Sequence, residues 1–236
     1  MRAFCLGFAV ALLVSACGGE TDAELVAKAK SQLAQRDFAG AAIHLKNALG
    51  KNPASVEARW LLGRTLLDLG DAQTALIELR KALDAKAPED QVLPDLAKAM
   101  LAQGQAQQLV GEFGTVVLAD PAANANLKTL VATAHAGLGA LDAAREATAQ
   151  ALKSQPGYPA ALVLNARLDA ASGQVDGALR VLDGVLVREP GHEGAGLLKG
   201  DILLQARQDA DGALAVFRQV RSAHPQSVLA QLAIVS

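Results

Sequence analysis

The spacing of the prolines constrains this chain more than any other feature. Pro53, Pro88, Pro121, Pro156, Pro190 and Pro225 follow one another at intervals of 35, 33, 35, 34 and 35 residues. A period of that length marks a supersecondary unit copied along the chain, because one such unit cannot bury its apolar face alone and must stack on its neighbours. The units share an internal order. Midway through a first run stands a small residue: Ala29, Gly63, Ala97, Ala132, Ala166 and Gly200. Seven residues later comes a turn, with Gly70, Gly104, Gly139 and Gly173 in four units, Arg36 in the first and a departure at Arg207-Gln208 in the sixth. Glycine suits a helix end there, since it enters the left-handed region without a Cβ penalty. A second run then carries Ala41/Leu45/Ala48, Ala75/Leu79/Ala82, Leu109/Phe113/Val116, Ala144/Thr148/Ala151, Ala178/Leu182/Val185 and Ala213/Phe217/Val220. Steps of four and three put each trio on one helix face. The proline closes the run by biasing its predecessor away from helix.

Two helices per unit, repeated six times, predict an all-α superhelical solenoid of antiparallel helix pairs. Composition agrees: 51% of the chain is apolar but only 3% aromatic, and its alanines and leucines are strong helix formers. The formal net charge is −2, with no basic patch interleaved with aromatics, so nucleic-acid binding is not expected. Both cysteines lie in the first 17 residues, and His44, His135, His192 and His224 are scattered. No metal site, disulfide framework or cofactor is expected.

The pattern resembles the tetratricopeptide repeat, from about residue 22 onward. Trp60 stands one residue closer to Leu62-Gly63 than the consensus has it, and Thr148 occupies a place where a large apolar residue is usual. The repeats are expected at about 22–55, 56–89, 90–124, 125–158, 159–192 and 193–226. Residues 227–236 then read as the first helix of an incomplete seventh. From Pro225 to Ser236 no residue is charged, whereas a capping helix needs a polar outer face. Either the chain is a piece of a longer protein or this helix docks on something.

The first residues read as an address. Arg2 precedes an apolar stretch from Ala3 to Val14, and Ser15-Ala16-Cys17 follows. The stretch is of signal-peptide length and too short to span a bilayer comfortably. Cys17 resembles a bacterial lipobox cysteine. That resemblance implies a signal at 1–16, acylation of Cys17 as the mature N-terminus, and a linker at 17–21. Gly18 in place of aspartate favours the outer membrane, facing the periplasm. Two or three acyl chains anchor stably where one does not. An ordinary signal with an incidental cysteine is the alternative.

No Walker-type loop, HExxH, paired CxxC or GxSxG motif occurs, and no enzyme or small-molecule substrate is expected. Gly137-Leu138-Gly139 falls in a helix corner, Glu189-Pro190-Gly191-His192-Glu193 in a connecting turn, and Asp209-Ala210-Asp211-Gly212 in an inserted turn. Binding is expected in the groove lined by the first helices. One step beyond each small residue stand Lys30, Arg64, Lys98, Thr133, Arg167 and Asp201. Four cations in six places suit carboxylates on a partner's extended segment; solvated helix residues are the plainer reading. Trp60 serves either as a groove anchor or as inter-repeat packing.

Beyond the repeat, Ala41-Ala42-Ile43-His44-Leu45-Lys46-Asn47-Ala48-Leu49 and Glu57-Ala58-Arg59-Trp60-Leu61-Leu62-Gly63 resemble one family in particular. Ala87-Pro88-Glu89-Asp90-Gln91-Val92-Leu93-Pro94 and Leu197-Leu198-Lys199-Gly200-Asp201-Ile202-Leu203-Leu204 do the same. They resemble the N-terminal part of the PEP-CTERM/exosortase-system tetratricopeptide lipoproteins (PrsT-like). The resemblance implies an envelope scaffold of a Gram-negative, biofilm-forming bacterium that binds proteins of an exopolysaccharide-export or exosortase sorting apparatus. A generic outer-membrane assembly lipoprotein for pilus or secretin subunits is the alternative.

Overall fold

The structure is a computed structural model that describes residues 20–235. Cys17 and the leader lie outside the described residues. Thirteen α-helices make up the ordered elements among them: α1 (Asp22–Ala34), α2 (Phe38–Lys51), α3 (Val56–Asp68), α4 (Ala72–Asp84), α5 (Glu89–Ala102), α6 (Ala106–Phe113), α7 (Pro121–Gly137), α8 (Leu141–Ser154), α9 (Pro159–Ala171), α10 (Val175–Arg188), α11 (Glu193–Arg207), α12 (Ala210–Ala223) and α13 (Val228–Val235). They form six antiparallel pairs, each an odd-numbered helix and its successor, with α13 packed on the sixth.

Close packing occurs within pairs, between consecutive pairs, and between successive odd-numbered helices such as α3 with α5, α5 with α7 and α7 with α9. Successive even-numbered helices do not pack closely on one another. The odd-numbered helices therefore converge on the inner face of the superhelix, and the even-numbered ones fan out behind them. No described helix is long and apolar enough to cross a membrane.

The small residues are where paired helices touch. Ala29, Ala97, Ala132 and Ala166 are fully buried. A Cβ on Gly63 would lie 2.6 Å from Cγ of Leu79, and one on Gly200 would lie 2.1 Å from the Phe217 ring. Leu45, Leu79, Leu182 and Phe217, the large residues of the second helices, fill the space opposite and are essentially solvent-free. Burial of each stabilises the fold by about 1.5–3 kcal/mol. Thr148 sits at that position in the fourth pair, 1% exposed, and satisfies its hydroxyl by donating to the Ala144 carbonyl at 2.7 Å.

The turn inside each pair uses a left-handed residue. Gly70, Gly104, Gly139 and Gly173 have φ between +70° and +85°, and Arg36 (+60°) and Gln208 (+55°) do the same work. The amide after each one bonds back into the helix just ended: Asp37 to Gln32 O, Asp71 to Leu66 O, and Asp209 to Leu203 O across its inserted residue. Asp37, Asp71 and Asp209 then cap the next helix through their side chains, worth about 1 kcal/mol each.

Between pairs, four prolines share one geometry. Asn52, Gln155, Glu189 and His224 leave the helical region with φ between −130° and −143° and ψ between 74° and 96°, since a following proline disfavours helix. The carbonyl of each accepts from the residue three on: Ser55, Tyr158, His192 and Ser227. Pro88 and Pro121 depart from this. Pro88 is the N-cap of α5, preceded by Lys86 at φ +65°, and Pro121 opens α7 as its first residue. A proline fits there because the first helical N–H has no partner to lose.

The third pair is the irregular one. Its second helix ends at Phe113 after 8 residues, so Val116, placed on that helix by its spacing, lies outside it. Gly111 and Gly114 weaken the helix, and Thr115-Val116-Val117 is a β-branched run. The fourth pair begins at Pro121, ahead of the expected repeat boundary at 124/125.

Candidate partner-binding groove

The odd-numbered helices present their exposed residues to the inner face. Lys30, Arg64, Lys98, Thr133, Arg167 and Asp201 are all exposed there, each one residue past a buried small position that fixes the helix rotation. The row is more mixed in charge than its sequence suggested. Lys30 is paired with Glu57 at 2.5 Å. Arg64 and Lys98 face a shared cavity of about 410 Å³ that also contains Asp68, Asp95 and Asn126. Arg167 and Asp201 share another of about 380 Å³.

Arg64, Lys98 and Arg167 make no ion pair and no hydrogen bond among the described residues. Asp95 is occupied instead by Trp60, whose indole N–H donates to its carboxylate at 3.0 Å and to the Gln91 carbonyl at 3.2 Å. Burial pushes the Asp95 carboxyl upward from its ordinary value, opposed by the Trp60 hydrogen bond and by Arg64 and Lys98. Burial raises Asp201 too, against the pull of Arg167.

Trp60 packs against the core formed by α1–α9 and ties α3 to α5 through those two bonds. Inter-repeat packing is thus a role it fills. Its ring also lines a small cavity of about 240 Å³ with Val56, Glu57, Ala87, Pro88 and Gln91, at the start of α3 and the turn before α5.

The row itself was legible from register alone. The acids among it were not, because Glu57, Asp68 and Asp95 reach the groove from other helical positions. Counting one turn either side of the row would have found Asp95, three before Lys98, and Asp68, four after Arg64. The three motifs with a chemical look have structural roles. Gly139 is the left-handed helix end, His192 Nδ1 accepts from the Ala195 amide at 3.1 Å as an N-cap, and Asp209 caps α12. Among the described residues no group of three or more His, Cys, Asp or Glu is placed to hold a metal.

Two family models, both described as tetratricopeptide repeat, match residues 26–90 and 135–202. No curated protein matches the sequence. Among solved structures, PilF of Pseudomonas aeruginosa is 18% identical with a TM-score of 0.61, the alignment covering 89% of this chain and 95% of that one. PilW, described as a type IV pilus biogenesis factor, is 17% identical with a TM-score of 0.67, covering 91% and 98%. A tetratricopeptide repeat protein from Parabacteroides merdae is 17% identical with a TM-score of 0.58, covering 92% and 98%. At these identities the likeness is one of fold. The two matched stretches together span more than half of the chain, and the six helix pairs stack as that repeat requires: the chain belongs to the tetratricopeptide-repeat proteins.

Proposed function

We propose that the protein is a non-catalytic scaffold that holds an acid-bearing, extended segment of a partner protein along its inner face. The observation carrying this reading is the cavity between α3, α5 and α7. Arg64 and Lys98 face it without an ion pair, while the neighbouring Asp95 is engaged by Trp60. A carboxylate entering there meets two cations, with Asp95 held by Trp60 and Asp68 as the remaining acid of the lining. Charge-assisted hydrogen bonds of this kind are stronger than neutral ones, and two cations on one carboxylate add orientation. The test is the double charge reversal Arg64→Glu with Lys98→Glu, read as affinity for partners recovered from detergent-solubilised envelopes. At least about tenfold loss is expected; undiminished affinity overturns the reading.

The setting we propose is the periplasmic face of the outer membrane, with Cys17 as the lipid-bearing residue. The process is exopolysaccharide export or exosortase-dependent sorting, supported by the resemblance of segments 41–49, 57–63, 87–94 and 197–204 to that family. A second reading, assembly of type IV pilus or secretin subunits, is favoured by the likeness to PilF and PilW along nearly the whole chain. Co-purification separates them: polysaccharide-export or sorting proteins support the first, and pilus or secretin subunits the second.

A further inference from the structure

Where α6 stops short, a cavity of about 660 Å³ opens between the segment after it and the end of α8. Its lining is Gly114, Thr115, Val117, Asn124, Lys128, Gln150, Lys153 and Ser154, none of which belongs to the inner-face row. Two of these eight residues are cations and none is an acid. Lys128 is the unusual member. It is only 3% exposed, yet its ammonium makes a single hydrogen bond, to the Gly114 carbonyl at 2.9 Å, and no ion pair among the described residues. Burial draws its pKa down. A buried ammonium with one neutral partner is poorly compensated.

The repeat supplies an internal control. Four residues before the small position, the other pairs carry Leu25, Arg59, Leu93, Leu162 and Gly196. Only Arg59 is also cationic, and its guanidinium meets Glu78 of the paired helix at 2.7 Å. The residue corresponding to Glu78 in the fourth pair is Ala147, buried at 6% exposure. So the fourth pair keeps the cation and lacks the built-in carboxylate, at the place where a shortened helix leaves room for one from outside.

We infer that this cavity is a binding site for a carboxylate carried on an apolar body. The carboxylate lies between Lys128 and Lys153; Lys153, exposed at the rim, makes no hydrogen bond or ion pair among the described residues. The Thr115 hydroxyl lies beside it as a further donor. The apolar body rests on Val117, 75% exposed, and on the aliphatic stems of the two lysines. The cavity lies within the roughly 300–1,000 Å³ range of small-ligand sites, too large for a bare inorganic anion, and it has no aromatic platform for a sugar ring. A free carboxylic acid and the last residue of a peptide both present this chemistry.

Titration of the full chain, ¹⁵N-labelled, with N-acetyl-leucine reads the site directly. Saturable shifts are expected at the Gly114, Thr115 and Val117 amides. N-acetyl-leucinamide, which lacks the charge, should bind at least about tenfold more weakly, the equivalent of about 1.4 kcal/mol. Lys128→Leu, the residue that three of the other five pairs carry there, should cost at least about tenfold in binding while leaving the thermal midpoint unchanged or raised. Lys153→Ala, at an exposed site that does not endanger folding, should cost about threefold, and it carries the test if Lys128→Leu does not fold. If 4-methylpentanoate binds as well as N-acetyl-leucine, the ligand is a free acid; if N-acetyl-Ala-Ala-Leu binds tenfold tighter than both, it is a peptide terminus. Equal binding of acid and amide, undiminished binding by both lysine variants, or no shift with any probe up to its solubility limit overturns the inference.

Discussion

The junctions at the two ends of the solenoid and those in its middle are built differently. From α2 to α3, and from α8 through α13, each pair passes to the next through the same proline turn, closed by the same backbone bond. From α4 to α7 this device is absent. Lys86 turns the chain in a left-handed conformation, Pro94 sits buried inside α5, and α6 ends early. The segment after α6 is held by side chains: Asp90 accepts from the Ala119 amide, Asn124 from the Leu118 amide, and Lys128 donates to the Gly114 carbonyl. The regular junctions spend their residues on geometry. The irregular middle leaves Lys128 without an ion pair among the described residues and a cavity beside it, whereas the inner-face row, with Arg167 also unpaired beside a cavity in the regular region, runs through both. Repetition builds the array; departure from repetition gives it something to recognise.

The comparison can be broken or sharpened by substitution. The largest effect should come from the regular region, where Leu182 is fully buried in the α9–α11 core: Leu182→Ala should cost about 2–5 kcal/mol by urea denaturation. An effect below that range would mean that the α9–α11 core repacks readily. Next, Gly200→Ala should destabilise by about 1–3 kcal/mol, because its Cβ meets the Phe217 ring. Gly184→Ala, with nothing within 4 Å of the added Cβ, should instead stabilise α10 by up to about 1 kcal/mol. Equal effects of the two glycine changes would remove close helix approach as the cause.

In the middle region the effects are smaller and depend on pH. The folded pKa of Lys128 lies below its unfolded value, so the folded state binds its proton less readily than the unfolded one does. The penalty is present at neutral pH and is relieved as pH rises from the folded pKa towards about 10.4. The urea midpoint of the native protein should therefore gain on that of Lys128→Leu over this window, and a constant difference would refute the burial cost. Asp95 has the opposite sense. Its folded pKa is raised, so its stabilising contribution is complete below the unfolded value of about 3.9 and is lost as pH rises through the folded one. Asp95→Asn, which keeps an oxygen to accept from Trp60, should match the native protein at acid pH and overtake it slightly near neutrality.

Much of the architecture was open to a reader of the sequence because its devices are single residues with strong local preferences. Proline after an extended residue, glycine at a left-handed turn and alanine at a helix contact each declare themselves. Lys86 is not foreseeable because lysine carries no turn signal; its conformation is fixed by the bonds from its own amide to the Leu83 carbonyl and from the Ala87 amide to the Ala82 carbonyl. The early end of α6 is encoded in Gly111, Gly114 and the β-branched run, local signals that the proline period and the Leu109/Phe113/Val116 spacing mask. The groove row followed from register. Lys128 stood outside that row and was not among the expected binding residues, although a lysine in a column with three leucines is out of place; its lack of a partner depends on what stands at Ala147 and on where α6 ends. Such absences are properties of three dimensions.

The side-chain-held segment after α6 also sets how the molecule answers a pull on its two ends. A superhelix whose contacts join only near neighbours is a spring, and its compliance is the sum over its junctions. The proline turns, each clamped by backbone, are its stiff coils. Residues 114–120, tethered largely by the side chains of Asp90, Asn124 and Lys128, would be the soft one. Extension and bending would gather there, in the wall of the cavity that Lys128 lines, so a ligand drawing that lysine away from Gly114 would change the elasticity of the whole array at a single coil.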